Sequence, residues 1–462
     1  MAEAALSKQQ MWEELGVITP IRAARAIAQF RWSIDFNLCQ CKSQKEEQTM
    51  TEQFFDVVVV GGGPAGSTSA TLLAKKGYSV LLAEKEKFPR YHIGESTVPG
   101  ILPVLEELGI TEDMASHAFV VKKGITLAWG QDRELWSVSF ADAGPLTGPY
   151  DHAFQVVRSE FDSILLNNAR RCGVTVLEEA PVVDFLFEQD RCCGLKYTLG
   201  QSGTPSTAHA RFVVDASGQN ALLARMYGLL EWDEALKNVA IWAYYQGGQT
   251  FGGDAAGNIL VENMTDGWLW VIPLHDGTQG VGLVVPARFP GGRQALEQKF
   301  ENMIASSIET KRLLHSARRV SNYRTARDWS YKSKSFSGTG FLLTGDAAGF
   351  VDPLFSTGVF LALRGGCLAS TTVDRLLKEP ERESEFLVRY EKSYRDFFDV
   401  VTSFVHYFYD ASEAKEAYWE RAQELVDPIQ QMTARQDFVR LISGQAGIID
   451  VLALDSSETE CR

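Results

Sequence analysis

The chain has 462 residues, of which 45% are hydrophobic and 23% charged, and its formal net charge is -14. This composition is typical of a globular protein with two or three domain-sized units and excludes an intrinsically disordered chain. The negative charge leaves no overall positive field to attract phosphate groups, so we predict no nucleic-acid partner.

Seven cysteines are scattered along the chain, and the adjacent pair Cys192 and Cys193 lacks the spacing of metal ligands. This usage predicts a reducing, cytoplasmic location. The seven histidines form no metal-ligand pattern either, so we predict no metal site. The chain has no run of about 18 apolar residues and no signal-peptide order at its start, which predicts no membrane span.

Residues 1–53 are predicted to form a poorly ordered N-terminal extension, because regular hydrophobic periodicity begins only at Phe54. Met50 is then a candidate for the natural start of the protein. The alternative is an amphipathic helix near residues 20–30, with Ile21 and Ala24 on one side.

The first motif in chain order begins with a short β-branched run at residues 55–60, which predicts a buried parallel strand. It leads into a glycine loop, G-x-G-x-x-G, from which a helix directs its N-terminus at an anion. A second strand over residues 78–83 ends in Glu84, which is placed to accept hydrogen bonds from a ribose. The candidate nucleotide-binding residues of the loop are Gly61, Gly63, Pro64, Ala65 and Gly66. This order predicts a dinucleotide-binding βαβ unit and does not decide whether its ligand is NAD or FAD.

Two later segments resemble aromatic-hydroxylase-type flavoproteins and thereby indicate FAD. Residues 341–350 form an apolar strand that ends in Gly-Asp, similar to the second FAD motif of that superfamily. Residues 155–162 resemble its R-x-x-F/L-D helix. The resemblance implies that Asp346 holds the ribityl chain and that Arg158 lies near the FAD. A further strand over residues 212–215 ends in a glycine turn and is expected to return to the nucleotide-binding sheet.

Three more motifs bear on function. Residues 268–273 read W-x-W-x-I-P, with two tryptophans at strand spacing whose simplest interpretation is core packing. Residues 352–359 read D-P-L-F-S-T-G-V, and residues 119–124 read F-V-V-K-K-G. Together with the FAD motifs, they resemble the flavin-dependent halogenases over residues 54–364.

The resemblance implies an α/β fold with a Rossmann-like FAD-binding domain of the aromatic-hydroxylase type, an inserted β-sheet substrate domain and a C-terminal helical region. The ranges assigned are 54–96, 153–222 and 335–375 for the FAD domain, 97–152 and 223–334 for the substrate side, and 376–462 for a helical cap. Aromatic residues near helical spacing over residues 390–408 are more typical of core than of a substrate box.

The resemblance also implies an activity, that of an FADH2-dependent halogenase in natural-product biosynthesis. A separate NAD(P)H-dependent flavin reductase supplies FADH2, whose C4a-hydroperoxide oxidises chloride or bromide to hypohalous acid. The halide is expected at Thr357 and Gly358, since backbone N–H groups at a helix start form an anion site. Lys122 is the expected catalytic residue, which presents the halogen to an electron-rich aromatic ring.

Bulky side chains are expected to keep the aromatic substrate away from the flavin in such an enzyme. The residues assigned to this partition are Trp268, Trp270, Ile272 and Pro273. Tryptophan-type halogenases have a glutamate where this chain has Phe355. We therefore expect a phenol-like or pyrrole substrate, free or bound to a carrier protein or peptide, because a phenol oxygen stabilises its own cationic intermediate.

Several alternatives stay open from the sequence. Lys123 is the alternative to Lys122, and the basic stretch over residues 311–334 is either a docking surface for an acidic carrier or a solvated helix and loop. Ser356 or Thr357 can act as a plain helix N-cap. An NAD(P)H-dependent aromatic monooxygenase, a prenyl-chain reductase and a non-catalytic FAD-binding protein are the competing functions.

Overall fold

A computed structural model describes residues 52–144, 149–200, 203–327 and 329–447 of the protein. Most of the predicted N-terminal extension, including Met50 and the alternative helix near residues 20–30, lies outside the described residues. Asp328 and the end of the predicted C-terminal cap, from residue 448 onward, lie outside them as well.

The strands of the described residues begin, in chain order, with β1 (Glu52–Val60), β2 (Val80–Ala83), β3 (Val120–Lys122), β4 (Gly124–Ala128), β5 (Leu135–Ser139), β6 (Ala153–Gln155), β7 (Thr175–Leu177), β8 (Val182–Glu188), β9 (Arg191–Leu199), β10 (Thr204–Asp215) and β11 (Leu230–Trp232). They continue with β12 (Asn238–Gln246), β13 (Ile259–Met264), β14 (Gly267–Pro273), β15 (Thr278–Pro286), β16 (Arg318–Arg319), β17 (Arg324–Arg327), β18 (Tyr331–Ser333), β19 (Ser337–Gly338), β20 (Phe341–Leu343) and β21 (Gly349–Phe350).

The α-helices of the same residues are α1 (Pro64–Lys75), α2 (Leu102–Leu108), α3 (Thr111–Ser116), α4 (Arg158–Arg171), α5 (Leu222–Met226), α6 (Arg293–Ser306), α7 (Glu309–Leu313), α8 (Gly358–Lys378), α9 (Glu383–Phe408), α10 (Lys415–Val426) and α11 (Ala434–Ile442). Within the described part of the chain, none of the helices is both long and apolar enough to cross a membrane.

The first sheet carries the nucleotide-type motifs, and its strand order is β19-β20-β10-β1-β2-β7. The central strands β20, β10, β1, β2 and β7 run parallel. Val57 and Val60 are almost fully buried, as expected for a parallel strand that is covered on both faces. The predicted second strand begins at Val80, two residues later than the apolar pattern indicated. Helix α1 packs against α4 and α8 beside this sheet.

The second large sheet has the order β16-β12-β15-β14-β13-β4-β5, and β17 also pairs with β12. Its side chains alternate between two cores. Trp268 and Trp270 belong to the core shared with the C-terminal helices, whereas Leu269 and Val271 belong to the core shared with α6 and α7. The predicted α/β architecture with an inserted β-sheet layer is therefore confirmed.

The basic stretch over residues 311–334 is largely exposed and begins in the short helix α7, as the solvated interpretation predicted, but it also contains edge strands that the sequence did not indicate. Arg318 and Arg319 form β16, and β17 runs from Arg324 to Arg327. Both strands pair with β12. These strands are polar and exposed, which is characteristic of edge strands and leaves no hydrophobic alternation to reveal them.

The C-terminal region is helical, as predicted, and its aromatic stripe is core. Of the aromatic side chains proposed for this stripe, all are buried except Tyr407, which is half-buried: Tyr390, Tyr394, Phe397, Phe398, Phe404 and Phe408. Helix α9 thus covers the face of the second sheet that carries the two tryptophans.

Candidate active site

The glycine loop between β1 and α1 has a close backbone crossing and one open face. A Cβ on Gly66 would lie 1.9 Å from the carbonyl oxygen of Gly61, and Gly61 itself has φ +97°. A Cβ on Gly63 would instead meet only the Arg90 guanidinium, at 3.6 Å. Gly63 is the N-cap of α1 and no side chain caps this helix. The loop therefore has room at Gly63 and uncapped N–H groups suited to a phosphate.

Glu84 follows β2 directly, as the sequence predicted, and is buried. Its carboxylate accepts hydrogen bonds from the backbone N–H of Gly62, at 2.6 Å, and of Glu86, at 2.8 Å. Pro64 and Ala65 form the first residues of α1 and are buried beside the loop. Glu84 thus braces the glycine loop in addition to its predicted contact with a ribose.

Asp346 lies in the turn after β20, half-buried, and no group among the described residues donates a hydrogen bond to its carboxylate. Burial raises its pKa to about 6, which the charge of Arg158 partly opposes. Arg158 donates to both oxygens of Asp162, at 2.8 and 3.0 Å, and to the carbonyl of Ile93, at 2.7 Å. The unpaired acceptor at Asp346 and the space at Gly63 fit the ribityl hydroxyls and the pyrophosphate of FAD.

Lys122 ends β3 and is fully buried. Its Nζ donates to Ser96 Oγ at 2.8 Å and to the Thr97 carbonyl at 2.9 Å, and it lies 5.4 Å from the centroid of the Phe140 ring. Burial lowers the pKa of Lys122 to about 7. The neighbouring Lys123 is exposed and pairs with Asp254. Of the two lysines, only Lys122 lies in buried surroundings.

Residues 93–97 form a connecting segment between two of these groups. Ile93 accepts a hydrogen bond from Arg158, while Ser96 and Thr97 accept those from Lys122. The segment therefore links the residues expected at the FAD with the buried amine.

The predicted halide turn precedes α8, with Thr357 at the N-cap and Gly358 as the first helical residue. No side chain caps this helix, so the interpretation of Ser356 or Thr357 as a capping side chain is wrong. Ser356 has φ +60°, and its N–H donates to the Pro353 carbonyl at 3.1 Å. A left-handed residue followed by a helix start directs adjacent N–H groups to one side, which is the geometry of a backbone anion site.

Phe355 is buried next to this turn. Its ring centroid lies 5.4 Å from that of Phe404 and 4.7 Å from that of Phe408, both on α9. The position that carries a glutamate in tryptophan-type halogenases is therefore part of an aromatic stack in this protein.

The tryptophans of the W-x-W-x-I-P motif lie side by side on β14, with ring centroids 5.8 Å apart. Trp268, Trp270 and Ile272 are all nearly buried on one face of the strand, and Pro273 ends it. A Cβ on Gly282 of β15 would lie 2.1 Å from the Trp270 ring, so the indole occupies the space left by that glycine. Core packing and a flavin partition are both compatible with this arrangement.

A buried hydrogen-bond network connects the tryptophans with the halide turn. Trp268 Nε1 donates to Tyr409 Oη at 3.0 Å, and Tyr409 donates to Asp352 Oδ2 at 2.9 Å. The other Asp352 oxygen accepts from the Leu354 N–H at 3.0 Å. Burial raises the pKa of Asp352 to about 7. Sequence reasoning missed Tyr409, because it follows the last residue of α9 and lies outside the aromatic periodicity.

Replacing Tyr409 with Phe is expected to destabilise the protein by about 2–4 kcal/mol, since it removes the acceptor of the buried Trp268 N–H and the hydrogen bond to the buried Asp352 Oδ2. Urea unfolding measures the difference. The matched control is Tyr407→Phe in the last turn of α9, two residues before Tyr409, where the ring packs against Tyr418 and the described residues offer its hydroxyl no hydrogen bond. Equal losses in the two variants would contradict the network.

A cleft of about 1530 Å³ opens beside the same network. Trp129, Trp268 and Tyr409 line it, and Lys122 does not. The cleft therefore lies at the Trp268 end of β14 and is not where the predicted lysine chemistry occurs. Among the residues that the structure describes, no group of three or more His, Cys, Asp or Glu side chains is placed to hold a metal ion.

Comparisons with known proteins agree on one family. The family model described as tryptophan halogenase matches residues 56–151 and 141–447. The chain is 36% identical over 405 residues to a tryptophan 2-halogenase of Chondromyces crocatus, covering 85% of this chain and 76% of that protein. It is 34% identical over 415 residues to the flavin-dependent halogenase armH3 of Armillaria mellea, covering 83% and 81%. The solved structure of the myxobacterial chondrochloren halogenase CndH superimposes with a TM-score of 0.73 at 32% identity, covering 86% and 99%.

The fold and these likenesses define a flavin-dependent oxidoreductase. Within that class, the chain belongs to the flavin-dependent halogenases and is an enzyme. Members of this family generally receive reduced flavin from a separate flavin reductase.

Proposed function

We propose that the protein uses FADH2 and chloride or bromide to halogenate an electron-rich aromatic ring through Lys122. The observation that carries the proposal is a fully buried amine whose hydrogen-bond acceptors among the described residues are neutral oxygens, those of Ser96 and Thr97. With a pKa of about 7, this amine is largely neutral at slightly alkaline pH and is then able to take up halogen from hypohalous acid or to donate a hydrogen bond to it.

The flavin groups are held by residues of the first sheet in this proposal. Gly61, Gly63 and Gly66 bring the backbone to the pyrophosphate, Asp346 accepts from the ribityl hydroxyls, and Glu84 lies near the ribose. Arg158 positions the 93–97 segment beside them. When bound and reduced, FAD supplies with dioxygen the oxidising equivalents that convert halide to hypohalous acid.

We assign the halide to the N–H groups at Thr357 and Gly358 and the exclusion of substrate from the flavin to the bulk of the motif Trp268, Trp270, Ile272 and Pro273. The uncapped start of α8 and the absence of an acidic residue in its first turn support an anion there. The close packing of Trp270 on Gly282 supports a fixed partition.

The acceptor is proposed to be phenol-like or a pyrrole, free or tethered to a carrier. Support comes from Phe355, which packs against Phe404 at the position where a tryptophan-type halogenase has a glutamate to stabilise a less activated ring. The proposal assigns the flavin to residues 54–96, 153–222 and 335–375, and the acceptor side to residues 97–152 and 223–334, with the C-terminal helices as the cap.

The test supplies the purified enzyme with FAD, NADPH, a flavin reductase, bromide and a panel of acceptors, and analyses products by mass spectrometry. The panel contains free phenols, pyrroles, a carrier-tethered phenol and tryptophan, the last because one relative is named for that amino acid. A bromine isotope doublet on a phenol or pyrrole is the expected result. Bromination of tryptophan and of no other acceptor would overturn the assigned substrate class.

A second experiment separates a halogenase from an NAD(P)H-dependent monooxygenase. NADPH is mixed anaerobically with the FAD-loaded protein in the absence of a reductase. We expect the flavin absorbance to persist, because the proposal assigns flavin reduction to a separate protein. Rapid bleaching would favour the monooxygenase.

A further inference from the structure

The proposed reaction needs protons at a buried site. Ar–H, X⁻, O2, FADH2 and H⁺ give Ar–X, FAD and two H2O, so each turnover takes up one proton from solvent. Lys122, the amine assigned to halogen transfer, is fully buried, and neither of its acceptors is ionisable. A path for protons from the surface is therefore a requirement that the proposed function leaves unassigned.

Glu95 is a buried carboxyl at the junction of the proposed groups. It lies in the 93–97 segment, directly after Gly94 and before Ser96, which accepts a hydrogen bond from the Lys122 amine. Its Oε1 would lie 3.9 Å from a Cβ on Gly280, and Gly280 pairs with Ile272 of the tryptophan motif. Glu95 thus directly precedes the residue that accepts from the lysine, and it lies close to the tryptophan motif and in the segment bonded by Arg158.

Two phenols connect this carboxyl with the surface. Tyr244 of β12 donates its hydroxyl proton to Glu95 in a short hydrogen bond. The hydroxyl of Tyr91 lies 3.0 Å from that of Tyr244, and Trp242 Nε1 donates to Tyr91 at 2.7 Å. Tyr91 is 40% exposed, and the Arg324 guanidinium lies 3.7 Å from the centroid of its ring.

The direction of this chain of hydrogen bonds is fixed by its donors. An indole N–H only donates, and a tyrosine hydroxyl carries one proton. Because the proton of Tyr244 points to Glu95, the proton between the two phenols belongs to Tyr91. The hydroxyl protons of Tyr91 and Tyr244 are therefore both directed inward, from the exposed Tyr91 to the buried carboxyl.

Burial and neighbouring charges shift the pKa values of Glu95 and the two phenols. Burial raises the pKa of Glu95, while the hydrogen bond from Tyr244 and the charge of Arg158 oppose the rise. Burial and the charge of Glu95 in turn raise the pKa of Tyr244 well above its ordinary value, so this phenol stays protonated and serves as a conductor. Arg324, at the outer end, lowers the pKa of Tyr91 relative to burial alone.

We propose that Tyr91, Tyr244 and Glu95 form the path by which protons from solvent reach the site of halogenation. The inward step moves one proton onto the Tyr91 oxygen as the Tyr91 proton passes to Tyr244 and the Tyr244 proton passes to the Glu95 carboxylate. No bond other than O–H is broken or formed, and no oxidant is required. This inference rests on the proposed function for its role and on the hydrogen bonds for its route.

The test compares Tyr244→Phe with Tyr245→Phe. The two tyrosines are adjacent on β12, but Tyr245 faces the opposite core and approaches Glu301, 3.4 Å away. In the FAD-loaded, full-length protein, infrared spectroscopy after a rapid downward pH jump measures the carboxylic-acid C=O band of Glu95, identified by its loss in Glu95→Gln. We expect protonation at least about tenfold slower in Tyr244→Phe and unchanged in Tyr245→Phe, since a phenyl ring carries no exchangeable proton.

Turnover gives the second readout. Bromination by Tyr244→Phe is expected to fall at least about tenfold at pH 8 and to recover as a small buffer acid such as imidazolium is added, which a structural defect would not do. Tyr91→Phe, at the exposed end of the path, is the second variant and should show the same losses as Tyr244→Phe in both readouts. If the wild-type protein does not brominate, but Glu95 is protonated slowly in Tyr244→Phe and Tyr91→Phe and normally in Tyr245→Phe, the proposed function fails and the path stands. If Tyr244→Phe and Tyr91→Phe match Tyr245→Phe in both readouts, the path is overturned.

Discussion

Lys122→Met is expected to lower halogenation turnover by about 10²–10⁴-fold, the range that a positioned acid, base or nucleophile contributes. Methionine fills nearly the same volume in the buried site but has no amine to receive or orient halogen. FAD binding and the oxidation of reduced flavin by dioxygen should persist, because within the described part of the chain the lysine donates to Ser96 and Thr97 and to none of the residues assigned to FAD. Product formation and oxygen consumption, measured together, separate the two steps.

Lys123→Met is the matched control for this variant. Its side chain is exposed and forms an ion pair with Asp254, so we expect unchanged turnover and a small effect on stability. Loss of halogenation in Lys123→Met, with activity retained in Lys122→Met, would move the assignment to the neighbouring residue.

The same substitution of Lys122 should stabilise the fold at neutral and acidic pH. The folded pKa is about 7 and the ordinary value of a lysine is about 10.4, so the unfolded chain holds a proton that the folded chain lacks between these values. The free energy of unfolding of the wild type therefore rises with pH across this window. Below pH 7 the folded protein bears the full cost of a charged, buried amine, about 5 kcal/mol. After about 2 kcal/mol is subtracted for two lost hydrogen bonds, Lys122→Met should be about 3 kcal/mol more stable at pH 6.

Urea unfolding at pH 6 and pH 9 measures this effect. The advantage of Lys122→Met over the wild type should shrink as the pH rises from 7, because the wild-type amine is then neutral in the folded state. A difference that is independent of pH would show that the amine is not titrating near neutrality.

Gly63→Ala is expected to weaken FAD binding by at least about 100-fold, which corresponds to about 2.7 kcal/mol. The added methyl meets no backbone atom of the protein within 4 Å. Residue 63 also has φ -71°, which alanine adopts readily, so the loop should fold. The methyl would instead occupy the open face of the loop, where a pyrophosphate approaches the backbone. Quenching of FAD fluorescence on titration with protein gives the dissociation constant.

Gly252→Ala is the control, because that glycine also has an extended conformation and no neighbour within 4 Å of the added methyl. It lies outside the nucleotide-type loop and should bind FAD like the wild type. Thermal unfolding of both variants checks that the fold is kept. An unchanged FAD affinity in Gly63→Ala would exclude the loop as the pyrophosphate site.

Much of the first sheet was predictable because its signals are local. A valine run, a glycine loop, a helix start and a terminal acid follow one another between Val57 and Glu84, and each has its own backbone requirement. The choice between Lys122 and Lys123 had no such signal. A strand of three residues, Val120–Lys122, is too short to distinguish its faces by periodicity, and only tertiary packing places one amine inside.

The contacts that sequence reasoning missed join residues far apart in the chain. Tyr409 meets Trp268 and Asp352, and Tyr244 meets Glu95, across 57 to 149 positions. A lone tyrosine at a helix end or on a strand has the same local pattern whether its hydroxyl is bonded or not. Such networks become visible only when the sheet and α9 are assembled.

Phe355 also limits which side chains the turn before α8 can hold. Because its ring stacks on Phe404 and meets Phe408 edge to face, a glutamate at this position would place a carboxylate against aromatic rings that offer no partner for its charge. Residue 355 and the facing residues on α9 therefore form one packing unit. A glutamate is expected to be accommodated at residue 355 only when the facing rings are replaced as well, so a single exchange is poorly suited to introduce a carboxylate into this turn.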